Sequence, residues 1–339
     1  MGSIPIIGSY TGHLLFRVFF YPGTVSCIFP VFSLFLTDKG ESMNYQEFLH
    51  DIKGQLCALL DPGASVEFRT ITKNNGVDKD AFIISSPDTN LCPTIYLLPY
   101  YHRYLDGVST EDIVEDIFTT YSRALPSYDF DTSVFTDFEK ARHNIILRLV
   151  SYERNKELLA SVPHKRFLDF AILFYCLLQA DDSNQASILI YDDHLRFWNI
   201  DEEELYEIAL SNTPKLLTHR LDNLHSILTE VISDSSEFAD QEVFPIYVLS
   251  NQYRTYGASV LLYPNLISSL ADRFEKDLVI LPSSVHELLL LPTGGTPDMD
   301  YYADMVQQVN ATQLADDEIL SDHAYLYTRA THLLTSAAV

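Results

Sequence analysis

The sequence predicts an α+β protein: mixed, mainly antiparallel sheets with packed helices, in two subdomains. Three observations carry this. Short runs alternate apolar and polar residues and are joined by tight-turn residues, as in Ser65–Thr72, Lys73-Asn74-Asn75-Gly76 and Ala81–Ser85, the pattern of half-buried strands in hairpins. Other runs open on a capping residue with Glu or Asp three positions on, then repeat apolar residues at helical spacing. The two kinds do not alternate strictly, as a parallel α/β chain requires.

In order along the chain, Asn44-Tyr45-Gln46-Glu47 starts a helix whose apolar face is Phe48, Ile52, Leu56, Leu59 and Leu60, ended by Pro62-Gly63. The strands and Asn-Gly turn named above follow, then an apolar strand at Thr94–Leu98 and an aromatic-rich helix or turn at Tyr100–Asp106. Ser109-Thr110-Glu111-Asp112 caps a helix with Ile113, Val114, Ile117, Phe118 and Tyr121 on one face. Pro126–Asp131 is a loop. Thr136-Asp137-Phe138-Glu139 is a further capping box and predicts a helix to about Leu159. Phe167–Leu178 has Asp169 as its only charge, and is too short to span a bilayer, so it reads as a buried helix or strand. Ser187–Tyr191 is a strand, Asp201–Glu204 caps a helix through Leu210, and Leu221–Ile232 is helical. The polar stretch 233–243 is the expected boundary between subdomains 43–232 and 244–335. Beyond it come a strand at Ile246–Leu249, a helix from Pro264 to Phe274, strands Leu278–Leu281 and Val285–Leu291 around Pro282-Ser283-Ser284, a helix opened by Thr296-Pro297, and a strand at His323–Thr328.

Lys and Arg number 22 against 47 Asp and Glu, a net charge of −25 over 339 residues. Such a balance argues against direct nucleic-acid binding. The four cysteines are scattered, with no C-x-x-C, which argues against a disulfide framework or zinc ribbon and fits a cytoplasmic setting. Residues 1–42 differ from the rest. They hold only Arg17, Asp38, Lys39 and Glu41, and Leu14–Leu36 is apolar but broken at Pro22-Gly23 and Pro30. Three readings compete: sequence upstream of a native start at Met43, a targeting or anchoring segment, and a structured element. The first is preferred, because Met43 directly precedes a helix cap. Without a real anchor at 14–36, no membrane association is expected.

Three stretches together resemble an uncharacterised family of anaerobic Gram-positive bacteria known only as a domain of unknown function: Thr72–Val77, Val162–Asp169 and Leu281–Glu287. Val309–Gln313 is similar to it as well. The resemblance covers about 43–329, and it implies a chain that begins near Met43. A weaker likeness, carried by Glu203-Glu204-Leu205, Ala209, Asn212, Tyr263-Pro264, Leu270-Ala271 and Asp277-Leu278, is to a second bacterial family without assigned function. Neither implies a reaction.

No P-loop, dinucleotide fingerprint, nucleophile elbow, zincin helix or calcium loop occurs, so no cofactor and no metal set is expected. The candidate catalytic residues are His286 and Glu287, on opposite faces of an apolar strand, and Asp169, a carboxylate in an apolar run that needs a partner such as Arg166 or Arg148. Candidate ligand-binding residues are Lys73, Asn74 and Asn75 of the turn, and His164 and Arg166 of the only compact basic run. For each, a structural role is the stronger expectation: a hairpin turn, or cations flanking helices. Asp192-Asp193-His194 offers metal-type ligands at adjacent positions, which rarely converge, and Tyr100–Tyr104 offers rings that pack or stack. The favoured function is a non-enzymatic binding or regulatory protein acting on another protein. The alternatives are an enzyme with a polar site around His286, Glu287 and the Lys73–Gly76 loop, and an acidic nucleic-acid mimic.

Overall fold

The computed structural model describes residues 4–6, 43–87, 91–124, 133–180, 185–231 and 245–336. The described residues divide into two compact units, one of 4–6, 43–72 and 78–124, the other of 73–77 and of those from 133 to 336. Three mainly antiparallel sheets and their helices make the α+β class plain. The apolar stretch 14–36, the loop 126–131 and the polar stretch 233–243 lie outside the described residues.

The first unit runs β1 (Ile4–Ile6), α1 (Tyr45–Leu59), β2 (Ser65–Thr72), β3 (Asp78–Ser85), β4 (Leu91–Tyr96), α2 (Leu98–Leu105) and α3 (Thr110–Ala124). Its sheet has the order β1-β4-β3-β2, with β1 parallel to β4 and the other pairs antiparallel. Helix α1 starts where expected because the Asn44 side chain accepts from the Glu47 amide at 3.0 Å and the Glu47 carboxylate accepts from the Asn44 amide at 2.9 Å, which satisfies two orphan donors at once. Its inner face, Phe48, Leu49, Ile52 and Leu56, shares a core with Ile113, Val114, Ile117 and Tyr121 of α3 and with Val66, Phe82, Ile84 and Ile95 of the sheet. Each such side chain, fully buried, contributes about 1.5–3 kcal/mol. The aromatic run of α2 closes this core: the Tyr101 and Tyr104 rings lie 5.2 and 5.3 Å from Phe48, and the Tyr104 hydroxyl accepts from the Met43 amide at 2.9 Å.

The second unit runs α4 (Ser133–Thr136), α5 (Phe138–Ala141), β5 (Ile145–Ser151), α6 (Lys156–Leu159), β6 (His164–Phe167), β7 (Phe170–Ala180), β8 (Gln185–Leu189), α7 (Asp192–Trp198), α8 (Glu202–Leu216), β9 (His219–Asn223), α9 (Leu224–Val231), β10 (Tyr247–Asn251), α10 (Leu266–Phe274), β11 (Asp277–Ser284), β12 (Glu287–Thr293), α11 (Met299–Gln313), β13 (Tyr325–Thr328) and β14 (Leu333–Ser336). Strand β7 pairs β5 along one edge and β6 and β8 along the other. The second sheet has the order β14-β13-β11-β12-β10-β9. Both sheets feed one core, with Leu147, Leu149, Phe170, Ile172 and Phe174 joined by Leu249, Leu278, Ile280, Leu288 and Tyr325.

Several expectations are corrected here. The helix predicted from Thr136 to Leu159 ends at Ala141, its cap is Asp137, and Ile145–Ser151 is a strand. All seven residues of that strand are buried, Arg148 and Ser151 included, and a run buried on both faces suits a strand better than an amphipathic helix. Strand β5 is an edge, yet its amides are not left bare. The Leu147 amide donates to Thr213 Oγ1 at 3.0 Å and the Leu149 amide to Ser259 Oγ at 3.1 Å. Buried amides need partners, and two hydroxyls stand in for a neighbouring strand. Thr213→Val should therefore destabilise the protein by about 1–3 kcal/mol, read as a lower urea midpoint, because it strands a buried amide.

The basic run His164–Arg166 is in strand β6 rather than a loop between helices. Leu221–Ile232 splits into β9 and α9. Along the chain the units part between Ala124 and Ser133, and β9 and β10, on either side of 233–243, pair with each other from His219↔Asn251 to Asn223↔Tyr247. Among the described residues no helix is long and apolar enough to cross a membrane.

Candidate functional site

His286 and Glu287 do not share a strand. The bend expected at Pro282–Ser284 falls instead at Val285–His286, so His286 occupies a tight turn and Glu287 opens β12. The Ser284 hydroxyl accepts from the His286 amide at 3.0 Å and the Ser250 hydroxyl donates to the His286 carbonyl at 2.7 Å. The imidazole Nδ1 accepts from the Tyr256 amide at 3.1 Å. Burial, then the Arg148 charge, pushes the His286 imidazole down to about 4, against a smaller opposing pull from Asp317. The Arg148 guanidinium lies between the Tyr175 and Tyr256 rings, 4.2 and 4.0 Å from their centroids, and donates to Ser187 Oγ at 2.9 Å. Burial also raises the Glu287 carboxyl, opposed by the Arg254 charge and a Ser283 hydrogen bond. These groups brace a turn; they do not converge on a substrate position.

The turn candidates are likewise committed to their own chain. Asn75 has φ 61° and Gly76 φ 69°, the left-handed geometry that Asn-Gly supplies. Asn74 Nδ2 donates to the Asp317 carbonyl at 2.8 Å. Asn75 Nδ2 donates to the carbonyls of Asp316 and Ile319, both at 2.7 Å, and its Oδ1 accepts from Asn155 Nδ2 at 2.9 Å. The Lys73 amide closes the turn on the Val77 carbonyl at 2.7 Å. In the basic run, His164 Nδ1 meets the Val162 carbonyl at 3.0 Å, Lys165 pairs with Glu203, and Arg166 donates from Nε to the Leu168 carbonyl at 3.2 Å while covering the Tyr152 ring. At the start of α7, His194 Nδ1 accepts from the Tyr191 amide at 2.9 Å and Asp193 pairs with Arg196. Ser161, Tyr191, Asp192, Asp193, His194 and Arg196 line an open cavity of about 390 Å³. Among the described residues no three His, Cys, Asp or Glu side chains gather as metal ligands would.

Asp169 is different. It lies in the Leu168–Asp169 turn between β6 and β7, where Leu168 takes φ 55°, a conformation costly for a branched side chain. The sequence suggests Arg166 or Arg148 as its partner, and neither bonds it. Three groups from one later segment do. Ser321 Oγ donates to Asp169 Oδ2 at 2.6 Å, His323 Nδ1 meets the same oxygen at 3.1 Å, and the Tyr325 hydroxyl donates to Oδ1. The chain bends at Asp322, where the His323 amide donates to Ser321 Oγ at 3.0 Å, and enters β13 at Tyr325, which brings the three side chains to one carboxylate. The spacing Ser-x-His-x-Tyr is visible in the sequence and was the available signal for a site.

The surroundings define the chemistry. Burial, then the Asp169 charge and hydrogen bond, raises the Tyr325 hydroxyl far above the ordinary phenol range, so it remains a donor. Burial pushes the neighbouring Asp322 carboxyl up, but hydrogen bonds from Asn310 Nδ2 at 2.8 Å and Arg154 Nη2 at 2.9 Å, with the Arg154 charge, hold it below the usual carboxylate range. Asp169 offers only acceptors when ionised, so His323 Nδ1 carries the proton that faces it. No hydrogen bond or ion pair engages His323 Nε2 among the described residues, and the side chain is 36% exposed. This is not a serine-nucleophile triad, in which the imidazole bridges hydroxyl and carboxylate. Ser321 Oγ sits on the Nδ1 side, 3.4 Å from that nitrogen, and bonds the carboxylate directly. Ser321 and Tyr325 fix Asp169, and Asp169 orients His323.

No curated protein matches the chain, and no solved structure does. A family model does match, over residues 45–329, so all of the described second unit up to Arg329 and nearly all of the described first unit fall inside it. The chain belongs to DUF5688, a family of unknown function.

Proposed function

We propose that the second unit carries an acid–base site in which His323 is the proton acceptor and Asp169 its positioning residue. One observation supports it: the His323 ring is held at Nδ1 by a carboxylate at 3.1 Å, while among the described residues no group bonds Nε2 and the side chain is 36% exposed. A neutral imidazole held in this way has its proton on Nδ1 and presents a lone pair at Nε2. The matching substrate offers an acidic O–H or N–H to Nε2.

Diethyl pyrocarbonate tests this without a known substrate, because it acylates the unprotonated imidazole nitrogen. Peptide mass mapping should show rapid adduct formation at His323, and Asp169→Asn should slow it about tenfold or more at a pH near 8. A cooperative thermal melt of the Asp169→Asn protein separates loss of orientation from loss of folding. Equal His323 rates in both proteins would overturn the assignment.

A second reading, a regulatory protein that binds another protein, is supported by large apolar side chains left in water on the first unit: Leu98 is 52% exposed, Leu105 42% and Phe68 41%. A cytoplasmic setting is part of either reading. Its support is that Cys57, Cys92 and Cys176 are all free thiols.

A further inference from the structure

Strand β2 ends the first unit's sheet, and among the described residues no strand pairs with its outer edge. Of its eight residues, only Val66 is buried and only Ile71 intermediate. Free edges of this kind accept another strand. The residues along this one restrict what that strand is. Glu67 and Arg69 share a face, with side chains 62% and 59% exposed and an ion pair of 2.9 Å. Phe68 lies between them on the other face, 41% exposed, with its ring 6.5 Å from Phe82 on β3.

We propose that this edge is the interface of a symmetric dimer, in which β2 pairs antiparallel with β2 of a second copy about a two-fold axis at Phe68. In that register Glu67 stands opposite Arg69 of the other copy, and Arg69 opposite its Glu67. Opposite charges across a strand pair stabilise it and like charges destabilise it. A two-fold centred on Glu67 or on Arg69 instead places identical charges face to face. Only the Phe68-centred register satisfies both charges together. It also places the two Phe68 rings side by side, which extends the Phe68–Phe82 row across the axis and removes exposed aromatic surface from water. Thr70 meets Val66 and Ile71 meets Ser65, so no charge is left facing an apolar residue. The result is one continuous sheet made from two four-stranded ones, antiparallel except at each β1–β4 pair, and an isologous contact. The competing role for a charged edge is to repel other strands; here the charge pattern is complementary to itself.

Sedimentation equilibrium on the full chain tests this. The wild type should show a monomer–dimer equilibrium that weakens with salt. Glu67→Arg and Arg69→Glu should each weaken it about tenfold or more, since each places four like charges at the axis. The double variant E67R/R69E should restore the dimer, and an equimolar mixture of the two single variants should form a heterodimer. Both positions are exposed, so thermal melts should confirm that all variants fold. Phe68→Lys should also give monomer. A wild type that is monomeric at its highest soluble concentration overturns the proposal, and so does a dimer unaffected by the charge variants or not rescued by the double exchange.

Discussion

Gly257→Ala should abolish folding of the second unit, seen as loss of the cooperative thermal transition or as insoluble expression. A Cβ at this position would lie 2.0 Å from Ser250 Oγ, 2.6 Å from the Asn251 amide nitrogen and 2.6 Å from the His286 carbonyl oxygen. The hydroxyl can rotate away only by giving up its hydrogen bond to the His286 carbonyl; the two backbone atoms cannot move aside. They belong to β10 and to the β11–β12 turn, and both are held in the sheet by their own hydrogen bonds. Overpacking of a core usually costs about 1–3 kcal/mol. Two immovable backbone contacts at once place this substitution above that range, against a total stability of about 5–15 kcal/mol. A cooperative melt within a few degrees of wild type would show that the close approach is not required.

The second large effect is a loss of stability in mild acid that passes through His286. In the unfolded chain this imidazole titrates near 6.5; in the folded chain it is pushed down to about 4 by burial and then by Arg148, with Asp317 opposing. The folded state therefore binds fewer protons between those values. The stability it contributes is whole above pH 6.5 and is lost as the pH falls through this window to about 4. The full loss is on the order of 3 kcal/mol. Structurally, a proton on Nδ1 would oppose the Tyr256 amide that now donates to it and add charge beside Arg148. His286→Gln keeps an acceptor for that amide and removes the titration. Urea midpoints measured across the window should fall steeply for the wild type and be flatter for the variant. Glu287 gives the opposite sign, since its carboxyl is raised, and it is present in both proteins, so it cancels in the comparison. Parallel curves would exclude His286 as the sensor.

Local patterns made much of the fold legible. Helix α1 starts at its capping box, β2 has the bounds its alternation indicates, and Asn-Gly lies at the hairpin turn with the positive φ it is suited to. What local pattern could not indicate was burial created by distant chain. Ile145–Ser151 follows a capping residue and contains Arg148, so it reads as helix. It is a strand because Tyr175 and Tyr256 stack on the guanidinium and because Thr213 and Ser259 supply the hydrogen bonds an edge lacks. The candidate site shows the same limit. Asp169 is conspicuous as a lone carboxylate in an apolar run, but its partners lie more than 150 residues later. The nearby cations, which sequence favours as partners, are engaged elsewhere: Arg166 with the Leu168 carbonyl, Arg148 with Ser187.

The assignment of residues 73–77 to the second unit bears on how this chain can be cut. A fragment starting at 131 looks like a clean second half, yet it would lack both asparagines whose amides occupy the carbonyls of Asp316, Asp317 and Ile319. The 316–319 segment leads directly into Ser321 and His323. A truncated piece would lose the tether on the very stretch that carries the candidate proton acceptor. Fragment studies would then report a defect in His323 that belongs to the missing turn, and an honest comparison requires the whole chain or a separately supplied 73–77 segment.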